Sequence, residues 1–177
     1  QDEGASQSTA IGKITSVSGS DLIIDSLSGD SLTIDGSNDV VYRLNASSLS
    51  LGTLTGSSVA TSIVAWEASG DVDSGFDIYI SEDTDLIDGS NTITDVSDGA
   101  VTAGSTEYGA RASDSSITSS TFDTQDTAIT TTLAAIATES ASIFASRNFI
   151  TLKAGMTSSQ TDGSYSHVLT VLYVGNY

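Results

Sequence analysis

Residues 162–177, DGSYSHVLTVLYVGNY, limit what this chain can become more than any other stretch. An Asp-Gly turn signal leads into a β-branched and aromatic run without a charged residue, the pattern of a strand covered on both faces. Tyr165, His167, Leu169, Val171 and Tyr173 fall on one side of an extended chain, and Ser166, Val168, Thr170, Leu172 and Val174 on the other. Neither side is polar enough to be left in water. The expectation is a central strand on which the rest packs, paired antiparallel with residues 148–154.

The remainder is punctuated as an all-β chain would be. Short apolar runs at 10–17, 22–25, 32–35 and 40–45 are separated by Ser-Gly-Ser, Ser-Gly-Asp and Asp-Gly-Ser-Asn, the spacing of strands joined by tight turns. With no proline in the chain, turns fall to Gly, Asp, Asn and Ser. Further strands are expected at 49–54, at 59–66, and at 76–80, where Phe76, Ile78 and Ile80 alternate with the outward Asp77 and Tyr79. Residues 81–126 are expected to form short hairpins or an ordered excursion, with strand pieces near 92–96, 106–110 and 116–122. In 126–140, Ile129, Leu133 and Ile136 sit at helical spacing, but the threonine run prefers strand, and strand is assigned. The fold class is therefore all-β: an antiparallel β-sandwich of immunoglobulin-like or jelly-roll type with an N-terminal strand extension. The extension occupies 1–20 and the sandwich 21–177.

Charge removes several functions. Five basic against 23 acidic residues leave a formal charge of −18, and Lys13, Arg43, Arg111, Arg147 and Lys153 are too dispersed to neutralise phosphates. Nucleic-acid binding is excluded on that ground. No apolar run approaches the ~18 residues of a membrane span. The chain has no cysteine and begins at Gln1, with Met156 its single methionine; a removed secretory leader, hence an extracellular location, is the expectation.

Four blocks then recur in order: LSLGTL at 49–54, GFDIYIS at 75–81, DGAVTAGSTEYGARAS at 98–113, and TLKAGMTSSQTDGSYSHVLTVLYVGNY at 151–177. Together they resemble a family of secreted, Ser/Thr-rich bacterial cell-surface β-sandwich proteins. That resemblance implies an envelope or extracellular location and a sandwich fold, and no activity. In architecture the chain is also similar to biofilm-fibre and pilus subunits that donate an N-terminal strand to a neighbour.

Catalytic chemistry finds little support. His167, the single histidine, lies within the C-terminal strand run, where a structural role is the expectation. Glu67, Glu82, Glu107 and Glu139 could supply a glycosidase pair, but nothing in their spacing selects two of them. The chain is expected not to be an enzyme. Calcium is the one cofactor the sequence suggests: Asp71, Asp73 and Asp77, then Glu82, Asp83, Asp85 and Asp88, crowd hard oxygen ligands into two short loops. Asn45 opens the single N-glycosylation sequon.

Edge strands supply the functional expectation. Long proline-free strands in a chain with two lysines leave sheet edges without their usual protection. Ile11, Ile14 and Val17 would then form a donor strand that completes a neighbour's sheet, building a homopolymeric filament or surface layer. The alternative is a monomeric surface adhesin that recognises carbohydrate or protein through Trp66, Tyr79 and the acidic loops.

Overall fold

The computed structural model describes residues 10–25, 27–31 and 48–177. The chain divides into two compact units, Gln1–Ala46 and Ser47–Tyr177. Every regular element among the described residues is a strand. Among the described residues no helix is long and apolar enough to cross a membrane.

In the first unit, β1 (Ala10–Ile11) pairs with β4 (Ser28–Gly29), and β2 (Ile14–Ser18) forms a hairpin with β3 (Asp21–Ile24). Gly19, at φ +63°, takes the first position of the two-residue turn, where a positive φ matches the twist of the flanking strands. Lys13 donates its backbone N–H to Asp25 Oδ1 at 2.9 Å, and Asp25 returns one to the Lys13 carbonyl at 3.1 Å. Within the chain the residues expected to form the donor strand are already paired: Ile14 faces Ile24 and Val17 faces Leu22 across the hairpin ladder. This hairpin has residue 20, the expected boundary between extension and sandwich, in its turn. Its apolar side chains remain largely in solvent, Val17 most of all at 64% exposure. The strands expected at 32–35 and 40–45, and Asn45, lie outside the described residues.

The second unit is a sandwich of two sheets. One holds β5 (Ala60–Gly70), β11 (Ile143–Gly155), β9 (Glu107–Ala112), β8 (Asn91–Asp95) and β7 (Leu86–Asp88), in that order. The other holds β10 (Ala134–Glu139), β6 (Phe76–Glu82) and β12 (Leu169–Gly175), with β6 central. Pairing is antiparallel except between β8 and β9. Phe76, Ile78 and Ile80 of β6 meet Tyr108, Ala110, Ile150, Leu152 and Ala154 of the facing sheet in one buried cluster, the alternation that the pleat demands.

Two expectations about strands fail. The longest strand, β11, is hydrogen-bonded to β5 on one side and β9 on the other, whereas β12 pairs only with β6 and forms an edge. Val171, Leu172, Tyr173 and Val174 are consequently exposed. The segments at 49–54 and 116–122 are not strands, yet Ile117 and Phe122 are buried in the core.

That second segment is held by backbone and charge. Where β8 stops alongside β9, Ala110 exchanges hydrogen bonds with Thr127, and Ala112 donates to the Phe122 carbonyl, which fills the free edge of β9. Asp126, buried, accepts from Lys153 Nζ at 2.7 Å and from Val101 N–H at 2.9 Å. A buried carboxylate is tolerated only when so partnered. Asp126→Ala is therefore expected to destabilise the protein by roughly 2–4 kcal/mol, since it leaves the Lys153 charge and the Val101 N–H without their acceptor; urea unfolding monitored by tryptophan fluorescence measures it.

Candidate functional site

Two features of the second unit stand apart from ordinary packing. The first is a groove of about 320 Å³ running between the edge strands of the two sheets. Trp66, Glu67, Ala68 and Ser69 of β5 form one wall, Val171 and Tyr173 of β12 the other, and Ile78 of β6 lies between them. Tyr173 packs on Phe76 with ring centroids 4.8 Å apart. A β-carbon at Gly70 would collide with both rings, so glycine is what lets the aromatic pair close this end. Glu67 is tied to Arg147 at 2.8 Å, and β12 itself carries neither a charged residue nor a proline. No further strand pairs with β5 or β12 among the described residues.

The second feature is a polar cluster at the end of β6. Because side chains alternate, Glu82 follows Phe76, Ile78 and Ile80 onto the core face of the strand and is buried with them. Asp95 shares a face of β8 with the buried Ile93, and Tyr108 shares one of β9 with Ala110 and Ala112. His167, just before β12, hydrogen-bonds through Nδ1 to Glu82 Oε2 at 2.9 Å and to the Thr84 carbonyl at 3.2 Å. Both partners accept, so Nδ1 carries the proton. The imidazole stands edge-on to the Tyr108 ring, with centroids 5.0 Å apart. One oxygen from each of Glu82, Asp85 and Asp95 falls within 4.8 Å of the others. Two atoms here are buried without a hydrogen-bond partner: Asp95 Oδ1 and Tyr108 Oη.

The electrostatics follow from that crowding. Burial, then the charges of Glu82 and Asp85, push the Asp95 carboxyl up to about 7 against a smaller opposing effect of His167. Burial, then the same glutamate and Asp95, push the Tyr108 phenol upward. For His167 burial acts downward as the largest single effect, but the hydrogen bond and charge of Glu82, the Thr84 carbonyl and Asp83 together raise it.

The other predicted residues scatter. Asp71 accepts from Ser142 at 3.2 Å, Asp73 is exposed in the β5–β6 turn, and Asp77 accepts from Tyr79 and Asn176 at 3.3 and 3.2 Å. These three are turn and strand-surface carboxylates, and they do not converge; Gly75, at φ +74°, completes the turn between β5 and β6. Asp83 accepts the Val168 N–H at 2.8 Å, fastening the start of β12 to the β6–β7 loop. Glu67, Glu107 and Glu139 each have a separate local partner, in Arg147, Thr102 and Ser146 respectively. Trp66 lies in the groove with Ile78, whereas Tyr79 projects from the alternate face of β6, so the two aromatics do not form one platform. Sequence reasoning found Glu82 and Asp85 but missed Asp95 and Tyr108 as members of the same cluster.

No family model matches the chain, and neither a curated protein nor a solved structure does.

Because Asp95 has a higher affinity for a proton in the folded protein than in the unfolded chain, its contribution to stability declines as pH rises from about 4 through about 7. In calcium-free buffer Asp95→Asn is expected to gain stability over the parent across that window, by on the order of 1 kcal/mol at pH 8 and less at pH 5. Chemical denaturation of both proteins at the two pH values measures the difference, with Glu82, Asp83, Asp85, His167 and Tyr108 unchanged around it.

Proposed function

We propose that this chain is a structural subunit that assembles with copies of itself by adding strands across the groove between β5 and β12, in an extracellular filament or surface layer. The observation that carries this reading is the state of β12. Its backbone is paired on one side only, and its apolar side chains are exposed, with no lysine or proline to discourage pairing. Edges of that kind are where extended segments add to sheets.

The occupant is the β2–β3 hairpin of a second copy. The hairpin itself carries a single charge, Asp21, with Lys13 just ahead of it, in a chain of −18; this segment meets another subunit with little of the chain's repulsion. The same hairpin leaves Ile14, Val17, Leu22, Ile23 and Ile24 exposed, and two strands alone are marginal in water. Pairing within the hairpin changes the mode of donation: an edge of the hairpin is offered, rather than a lone strand made of Ile11, Ile14 and Val17. The contact joins unlike surfaces, so it propagates rather than closes. The extracellular placement is an expectation from the sequence, supported by the four blocks.

Val171→Lys in the groove and Val17→Asp in the hairpin are each expected to weaken association by roughly a hundredfold or more, through a charge placed in an apolar contact. Sedimentation of the parent should show concentration-dependent growth that strengthens with salt as the −18 charge is screened. The informative sample is the mixture. Each variant retains the surface that the other lacks, so equal amounts should form a capped dimer and stop. A parent protein that remains monomeric at high concentration and high salt overturns assembly, and leaves the groove as a ligand cleft lined by Trp66 and Tyr173.

A further inference from the structure

We propose that Glu82, Asp85 and Asp95 form a calcium-binding site at the end of the sandwich, with Tyr108 closing it from the core side. Oxygens that share one calcium ion at about 2.4 Å can stand no farther apart than about 4.8 Å. The three carboxylates satisfy that limit. They come from the last residue of β6, the β6–β7 loop and the last residue of β8, so the site is assembled by tertiary structure and not by a single acidic loop.

Acidic residues cluster readily in a chain of this charge, and the cluster alone would mean little. What points to a ligand is the orphaned polar surface around it. Tyr108 is 1% exposed, and its hydroxyl has no hydrogen-bond partner. Its ring abuts His167, which is bonded to Glu82, and Asp95 lies opposite Tyr108 in the β8–β9 ladder. Asp95 Oδ1 is likewise buried and without a partner. Buried polar atoms are almost always satisfied, and an exception calls for a water or an ion. A cation between the carboxylates answers for both atoms: Asp95 Oδ1 becomes a ligand, and the Tyr108 hydroxyl either binds directly or donates to a water of the coordination shell.

Donor chemistry selects the ion. All available ligands are hard oxygens, which disfavours thiophilic metals, while His167 Nδ1 is committed to Glu82 and Thr84. Ligands from three separate elements give an irregular cage, which calcium accepts at coordination numbers of 6–8 and magnesium does not. Asp83, with its carboxylate engaged by Val168, stays outside the set.

The test uses full-length protein stripped with EDTA, then melted with and without 5 mM CaCl2 at matched ionic strength. A site of roughly 10⁻⁴ M affinity raises the melting temperature by on the order of 5 °C. The rise should persist in Asp73→Asn, which removes an exposed charge elsewhere, and vanish in Asp85→Asn. Terbium(III) gives a second readout: excitation of Tyr108 should sensitise its emission, calcium should displace it, and Tyr108→Phe should lose most of the signal. If Asp85→Asn fails to fold, the terbium pair decides. An absent rise, or an equal rise in Asp85→Asn, overturns the proposal, the latter by showing general screening of the −18 charge.

Discussion

The sandwich depends on the double pairing of β11. Residues 146–154 of this strand pair with β5 along one edge and residues 150–155 with β9 along the other, so two strands of the larger sheet are held by one. The same strand places Ile150, Leu152 and Ala154 in the core at 0–2% exposure, where each large side chain contributes about 1.5–3 kcal/mol of burial. On its opposite pleat Lys153 reaches Asp126 and pins the long excursion that brings Phe122 and Ile129 into that core. Remove the ladder, and the excursion has neither an edge to fill nor a charge to meet.

β12 is the instructive contrast, because its sequence looks more buried than that of β11. Residues 143–155 include Arg147, Asn148 and Lys153, while β12 has no charge at all. Composition reports how apolar a strand is, not how many neighbours it has. A strand buried between two neighbours and a strand with one are written in the same letters, and only the pairing distinguishes them. For the same reason the alternating strands β5, β6, β8 and β9 were legible in outline, since alternation encodes two unlike faces. The segment at 116–122 was not: Ile117 and Phe122 enter the core from irregular backbone, and apolar letters alone mimic a strand.

The polar cluster was half legible for a related reason. Phe76, Ile78, Ile80 and Glu82 occupy successive positions of one parity, and a carboxylate at the fourth of them is a charge aimed at the core. Parity likewise puts Asp95 with Ile93. What no local pattern could supply is the parallel β8–β9 register that sets Asp95 opposite Tyr108, because it joins segments separated by an irregular loop. Proximity in sequence had instead grouped Asp71 and Asp73 with Asp77, which serve a turn and a strand surface.

Charge and edge then have to be considered together. A molecule with an unprotected apolar edge would pair indiscriminately if nothing opposed it, and here the opposition is long-range: at −18, every approach of two copies is repelled until salt shortens the field to about 8–10 Å. Local protection by lysine or proline would block the edge against every partner, including the intended one. Diffuse negative charge does not, for it discriminates by what approaches. In the proposed assembly the segment of residues 10–24, with one lysine and one aspartate, adds no net charge to the contact, so net charge works as a specificity device rather than only as a solubilising one.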